Sequence, residues 1–268
     1  MIYFVPTPIG NLNDITLRAL KTLEKSDVIA CEDTRTTQKL LEHYDIKSKL
    51  ISYHKFNEKK RVDDIIQLAL ENKEISIVSD AGMPCISDPG NLLIRALIEN
   101  NIKYTVLPGP TAFTTALVMS GFDNEKFTFL GFIPTKSSEK KLFIKKIKES
   151  KETQIFYESP HRIIKTLEDL SLVIPNRKVC VIREISKIFE EINIFSAKDF
   201  DKIKILEKGE LVVLIDKDYE EDVISDEVII EKLKELLKKN YSKKSAIKEL
   251  SKDLKVNKNK IYEIAIKL

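Results

Sequence analysis

The sequence predicts an α/β protein with two α/β domains, the first around a mostly parallel sheet and the second around a mixed sheet, followed by a small helical C-terminal module. Three observations carry this. Short apolar runs alternate with helix-period segments up to residue 118, the pattern of βαβ units. After Gly121 the strands crowd together and only two clear helices separate them, which favours antiparallel pairing. From Val223 onward the pattern is helical and rich in lysine. The expected boundaries are residues 1–118, 119–222 and 223–268, a reasonable division of 268 residues.

The elements follow in order. Ile2 to Val5 is an apolar run ended by Pro6 and reads as a buried strand. Leu17, Leu20 and Leu23 recur at helical spacing, with Asp14 or Thr16 as the cap. Asp27 to Cys31 is the second strand, and a helix presenting Leu40, Leu41 and Tyr44 follows it. Strands at Leu50–Tyr53, Ile75–Ser79 and Tyr104–Leu107 alternate with helices at Val62–Leu70 and Leu92–Glu99, and PGPTAF opens a further helix. In the second half, strands are expected at Phe127–Phe132, Thr153–Tyr157, Val179–Arg183, Glu191–Phe195 and Glu210–Ile215. The two helices there are Ser138–Glu149 and His161–Leu172, and the last two strands lie too close for a helical crossover. Asp216 to Asp222 reads as an acidic linker. Helices at Val228–Lys239, Lys243–Asp253 and Lys258–Leu268 complete the chain, with Ser242 and Asn257 as N-caps.

Composition narrows the class. The chain is 43% hydrophobic and 32% charged, ordinary for a soluble globular protein with a sizeable core. The net charge is +3, but residues 223–268 hold 12 Lys against 7 acidic residues, so this segment alone carries +5 and the rest about −2. Cys31, Cys85 and Cys180 are far apart and odd in number, which argues against a disulfide framework. His43, His54 and His161 show no ligand spacing, so no metal is expected. The N-terminus lacks a basic n-region, and no run reaches the ~18 apolar residues of a membrane span, so a cytoplasmic location without membrane association is expected.

Function is most visible at the strand ends. In open parallel sheets ligands bind outside the carboxyl ends of the strands. Each of the first five strands here runs into a polar or Gly/Pro-rich loop: VPTPIGN, ACEDTRTT, ISYHKFNE, VSDAGMPCISDPG and LPGPTAF. Five such loops on one rim make a site. Residues 79–90 place two Gly, two Pro and two Asp in a tight backbone with exposed N–H groups, suited to close approach by a ligand; a plain surface turn is the alternative.

The segments VPTPIGNLNDITLRAL, EDTRTTQKLL, ISYHKFNE, VSDAGMPCISDPG, LPGPTA, FLGFIP, FYESPHR and GELVVLI run in order through residues 3–215. With them the chain resembles the tetrapyrrole methylase superfamily, in its branch that 2′-O-methylates a cytidine ribose of small-subunit ribosomal RNA. The resemblance implies S-adenosyl-L-methionine as cofactor, small-subunit RNA as partner and a homodimer. It places the cofactor against Ile9, Asp80, Ala81, Gly82, Met83, Ile86, Thr111, Ala112 and Tyr157. Met83 departs from the Thr usual in the family, so backbone contacts around Ala81–Ile86 are expected to dominate. Thr111 and Ala112 would offer free helix-start amides, and Tyr157 has a plain core reading as its alternative.

Within EDTRT, Arg35 is a candidate RNA contact, and Asp33 either orients it, accepts a proton or simply caps a helix. FYESPHR adds Glu158 as a candidate catalytic carboxylate, with His161 and Arg162 as RNA contacts. A ribose hydroxyl is too weakly acidic for a histidine to deprotonate in the ground state, so positioning beside an already activated methyl group must supply much of the rate. In the tail, Ala246, Ile247 and Leu250 have the spacing to pack against Val256, Ile261 and Ala265 in a helix-turn-helix, with Lys243 and Lys244 outside. A structural three-helix cap is the alternative there. For the whole chain, the alternatives are a methylase acting on a tetrapyrrole macrocycle and a non-catalytic RNA-binding protein.

Overall fold

The computed structural model describes residues 1–217, 226–239, 241–254 and 256–266, and divides the chain into two compact units, 1–218 and 219–268. In the first unit, β1 (Ile2–Phe4), β2 (Val28–Cys31), β3 (Lys49–Ser52), β4 (Ile75–Val78) and β5 (Tyr104–Val106) form one sheet in the order β3-β2-β4-β1-β5. All four pairings are parallel. The helices between them are α1 (Leu17–Lys25), α2 (Thr34–His43), α3 (Glu58–Leu70) and α4 (Asn91–Glu99), and α5 (Ala112–Ser120) follows β5. Every residue of β2 and β4 is buried, as expected of strands covered on both faces.

Topology decides which helix covers which face. The first two crossovers move toward β3, and the next two move back toward β5. Right-handed crossovers running in opposite directions lie on opposite faces. Accordingly, Ala19, Leu23 and Leu41 of α1 and α2 pack with Val5, Ile29 and Val78. Val62, Ile65, Leu93 and Leu97 of α3 and α4 pack with Ile2, Phe4, Ile75 and Ile77. The connections leaving the neighbours β1 and β4 therefore diverge, and that opens a crevice at their carboxyl ends.

Local chemistry starts the helices. Thr16 is the N-cap of α1, its hydroxyl accepting from the Ala19 amide at 3.0 Å, while Asp14 lies one turn earlier. Asp33 caps α2 by accepting from the Arg35 amide at 2.8 Å. Gly121 ends α5 in the left-handed conformation with φ +64°.

The second sheet contains β6 (Phe127–Phe132), β7 (Thr153–Glu158), β8 (Lys178–Arg183), β9 (Glu191–Ser196) and β10 (Leu211–Ile215), in the order β6-β7-β10-β8-β9. It is mixed: β6 and β7 are parallel, and β10 runs antiparallel to both β7 and β8. Contrary to the expectation that the last two strands lie too close for a helical crossover, the chain between β9 and β10 forms a 3-10 helix at Ala197–Lys202. The two strands, both antiparallel to β8, are not paired. β10 inserts between β7 and β8, which leaves β9 on the edge against β8. One face packs against α6 (Ser137–Glu149) and α7 (Ile163–Val173) through Ile144, Ile147, Leu167 and Leu170. The other receives Ala116, Leu117 and Phe122 from the α5 region, together with Ile9. This second face joins the two sheets in a single unit.

The second unit contains α8 (Asp226–Lys238), α9 (Lys243–Asp253) and α10 (Lys258–Ile266). They close around Ile229, Leu233, Leu250, Ile261, Ile264 and Ala265, with Ile247 and Val256 packed against that cluster. Ser242 caps α9, and the Asn257 side chain accepts from the Asn259 amide at 2.9 Å. Of the stretch expected as a linker, only Asp216 and Lys217 lie within the described residues. Among the described residues no helix is long and apolar enough to cross a membrane.

Candidate active site

The crevice between β1 and β4 opens into a cavity of about 480 Å³. Loops after β1, β2, β4 and β5 reach it through Ile9, Glu32, Asp80–Met83 with Ile86–Asp88, and Thr111–Ala112. The second sheet contributes Phe132, Tyr157–Pro160, Ile185 and Gly209–Val212. All nine positions expected at a cofactor, Ile9, Asp80, Ala81, Gly82, Met83, Ile86, Thr111, Ala112 and Tyr157, thus line one cavity. The ISYHKFNE loop supplies none of its lining, because β3 is the far edge strand.

The 79–90 loop is held by its backbone. The Thr7 amide donates to Gly82 O and the Gly82 amide donates to Thr7 O, each at 3.0 Å, tying the first loop to this one. Ser79 Oγ donates to the Gly82 carbonyl at 3.2 Å, and the Gly90 amide donates to Glu58 Oε1 at 2.8 Å. Gly82 adopts φ +77°, and a Cβ there would meet Ile9 Cγ2 at 3.1 Å. The position therefore favours glycine for its conformation, and the tight approach to Ile9 adds to that preference. Thr111 stands at the N-cap of α5 but turns its hydroxyl to the Gly109 carbonyl at 3.2 Å, so it does not satisfy the first-turn amides.

The charge of the lining is one-sided. Glu32, Asp80, Asp88, Glu158 and Glu210 line the cavity, and no Lys or Arg does so among the described residues. Burial, then the charges of Glu32 and Asp80, push the Asp88 carboxyl up to about 6. Burial and Asp80 raise Glu32 as well. A cavity with these properties favours a cation, which relieves the cost of keeping neighbouring carboxylates ionised.

The two carboxylates expected to be catalytic occupy different places. Asp33 lies outside this cavity and pairs with Arg35, whose Nε donates to Oδ1 at 3.0 Å and Nη2 to Oδ2 at 2.6 Å. That side chain holds the Asp33 carboxyl down at about 2. Glu158 lines the cavity, yet its side chain is buried and its oxygens are committed. Oε1 meets Arg162 Nη2 at 2.7 Å and the Ser159 amide at 2.6 Å, and Oε2 accepts from Thr166 at 2.7 Å. Arg162 also donates to Ser159 Oγ at 3.0 Å and to the Ile133 carbonyl at 3.3 Å, which buttresses the Tyr157–Pro160 wall. His161 is exposed beside it. Arg35 is exposed at the start of α2, and Lys243 and Lys244 are exposed at the start of α9 in the separate C-terminal unit.

Glu32, Ser87, Asp88, Phe132, Ile185 and Gly209–Val212 line the cavity without having been singled out from the sequence. Asp88 sat within the loop that was. The β10 residues reach the rim because an antiparallel strand begins where its neighbours end, a reversal that apolar patterning does not reveal.

Two α/β layers meeting at a crevice outside parallel strand ends, with a loop-built carboxylate cavity, describe a small-molecule-binding enzyme. The chain belongs to the tetrapyrrole (corrin/porphyrin) methylases, whose family model matches residues 1–201. It is 41% identical over 276 residues to the ribosomal RNA small subunit methyltransferase I of Halalkalibacterium halodurans, covering 98% of this chain and 93% of that protein. The Thermotoga maritima protein of the same name is 43% identical, with 80% of this chain and 97% of that protein covered. Among solved structures, uroporphyrin-III C-methyl transferase from Thermus thermophilus complexed with S-adenyl homocysteine matches with a TM-score of 0.55 at 15% identity, over 80% of this chain and 96% of that chain.

Proposed function

We propose that this protein is an S-adenosylmethionine-dependent methyltransferase that 2′-O-methylates a cytidine ribose in small-subunit ribosomal RNA. The observation that carries the reading is the carboxylate-lined cavity at the β1/β4 crevice, in a chain whose near-full-length relatives bear a ribosomal RNA methyltransferase name. When bound, S-adenosylmethionine supplies a methyl group already activated on a cationic sulfonium.

The residues present fit such a molecule. The Gly82 turn and the α5 amides offer a backbone cradle, Ile9, Ala112 and Tyr157 offer apolar walls, and Asp80 and Asp88 offer negative charge. These groups bind and orient the reacting molecule. The 2′-hydroxyl needs a proton acceptor only as the new bond forms. Asp88, which faces the cavity with its carboxyl near 6, suits that task better than Asp33, which Arg35 holds near 2. RNA contacts are assigned to Arg35, His161 and Arg162 near the site and to Lys243 and Lys244 in the tail. We further assign the two sheets to domains 1–118 and 119–222 and the tail to 223–268, in a cytoplasmic homodimer. Titration calorimetry tests the reading at its base: a folded sample is expected to bind S-adenosylmethionine and S-adenosylhomocysteine, and the absence of any heat of binding to either would end it.

The tail has its own expected outcome. The Thermotoga relative matches only 80% of this chain while 97% of its own length is covered, so a protein of that name does without about a fifth of the present length. Removing residues 223–268, which lie in the separate C-terminal unit, is expected to weaken RNA binding and to leave cofactor affinity within about twofold. Each tail lysine that meets a phosphate contributes about −0.7 to the log–log salt slope on single strands and about −0.9 on duplex. The truncated protein should show a correspondingly flatter slope in filter binding. Equal RNA affinity of the two proteins across a salt series would make the tail purely structural.

A further inference from the structure

We propose that Phe132 is a stacking platform for the base of the nucleotide being methylated, a role that rests on the function proposed above. The backbone makes the first case. β6 and β7 pair Phe127 with Thr153 and Phe129 with Ile155, but the next pair is Phe132 with Tyr157. Three residues of β6 thus span two of β7, a bulge of one residue. In an unbroken strand Phe129 and Phe132 would point to opposite faces. The extra residue brings Phe132 onto the face shared by Phe129, Ile155 and Tyr157, which is the face toward the cavity. Gly131 enables this with φ +70°; a Cβ there would meet nothing within 4 Å, so the glycine answers to conformation rather than crowding. Bulges beside active sites commonly re-aim one side chain.

The aromatic packing makes the second case. Phe113 stacks on Phe129 at 4.5 Å between centroids, Phe129 meets Tyr157 edge-on at 5.0 Å, and Tyr157 meets Phe132 edge-on at 5.2 Å. The ladder begins among the residues that join the two sheets and ends on Phe132 at the cavity wall, where the residue is 59% exposed. A lone exposed phenylalanine is unremarkable. One that a bulge turns to a cavity and a three-ring ladder holds in place is a preformed surface for a flat ligand. The cavity itself is about 480 Å³ and walled on its apolar side by Ile9, Ala112 and Tyr157. A ring so open suits a partner that arrives from solvent rather than one enclosed among those walls.

The chemistry supplies the occupant. A ribose within stacked RNA cannot bring its 2′-oxygen into such a cavity unless the nucleotide is extruded, which forfeits its stacking. An aromatic face returns part of that energy and does so for any base. The cavity lining contains no Lys or Arg among the described residues, so what this wall itself offers a nucleotide is an aromatic face for the base.

The sequence contains no tryptophan, so Phe132→Trp installs a single fluorescent reporter. Its emission is expected to be quenched by a short single-stranded RNA containing cytidine and to change little with S-adenosylhomocysteine alone. In steady-state methylation of purified small subunits, Phe132→Ala should lower kcat/KM for the subunit by about fivefold to a hundredfold, the range of base–aromatic stacking. Calorimetric affinity for S-adenosylhomocysteine should stay within about twofold. Phe132→Tyr and Phe132→Trp should restore most of the loss, whereas Phe132→Leu should not. The proposal falls if Phe132→Ala weakens S-adenosylhomocysteine binding tenfold, which would place the ring in the cofactor subsite. It falls equally if Leu serves as well as Phe, or if Ala leaves kcat/KM unchanged. A wild-type protein that binds S-adenosylhomocysteine but does not methylate subunits overturns the substrate reading, and this proposal with it.

Discussion

Exchanging Asp88 for Asn should lower the affinity for S-adenosylmethionine about tenfold, with a smaller loss for S-adenosylhomocysteine, whose sulfur is neutral. A unit charge about 7 Å from a carboxylate, at an effective dielectric near 20, gains about 2 kcal/mol, which is more than tenfold in binding. The pH dependence follows from the direction of the shift. Burial first, then Glu32 and Asp80, hold the folded Asp88 carboxyl up at about 6, above the ~3.9 of an unfolded aspartate. The stability this gives is present below about pH 3.9 and is lost as pH rises through 6. A bound cation reverses the sense, because it favours the ionised form. Affinity for S-adenosylmethionine should therefore climb between pH 5 and 7 in the wild type and climb much less in Asp88→Asn. Burial holds both the Cys85 thiol and the Tyr157 phenol up at about 12, outside that window. Glu32, raised by burial and by Asp80, shifts in the same direction as Asp88 but is present in both proteins, so the comparison with Asp88→Asn isolates Asp88. The variant should also be slightly more stable at pH 7, since an ionised half-buried group is gone. Calorimetry across pH reads the first effect and thermal unfolding the second; an S-adenosylmethionine affinity equal to wild type at pH 7 would refute the electrostatic role.

Glu158→Ala is expected to cost about 3 kcal/mol, the lower end for breaking a buried ion pair, because Arg162 is partly exposed and can regain water. In a unit of this size that lowers the melting temperature by about 10 °C. The loss has three parts: the Arg162 pair at 2.7 Å, the Thr166 hydroxyl at 2.7 Å and the Ser159 amide at 2.6 Å. Glu158→Gln keeps the shape and can keep all three hydrogen bonds, since the Thr166 hydroxyl rotates to accept. That variant should fold, melt only slightly lower and retain kcat within about threefold, the behaviour of a positioning residue. A general base removed from a folded enzyme costs about a hundredfold or more. If Glu158→Gln loses that much while its melting temperature holds, Glu158 takes the proton itself.

Much of this architecture was legible in the sequence because buried parallel strands announce themselves. VIAC is apolar throughout and ISIV apolar but for Ser76, and each is followed by a polar loop that no core position would tolerate. The loops that end such strands must share one rim, so the loops could be placed together from pattern, while the individual residues Ile9, Asp80–Met83, Thr111 and Ala112 come from the family resemblance. What escaped has physical causes. The position of β10 between β7 and β8 depends on pairing across 53 to 61 residues of chain to β7 and 28 to 36 to β8, which local periodicity does not encode. The bulge that turns Phe132 inward hangs on the φ of Gly131, and a strand reading of FTFLGF assigns the ring to the opposite face. For Asp33 the sequence offers orienting Arg35, accepting a proton or capping a helix; the structure shows it capping α2 and pairing with Arg35, a geometry the residue pattern leaves open.

The central claim is methyl transfer to a ribose, and it is tested most directly by incubating the purified protein with small ribosomal subunits and methyl-labelled S-adenosylmethionine, then digesting the RNA for nucleoside mass spectrometry. The expected result is label on 2′-O-methylcytidine from the small-subunit RNA, absent when Gly82 is replaced by valine to fill the cradle. Label on a base, on ribosomal protein or, in a parallel reaction, on a porphyrin-like macrocycle instead would contradict it.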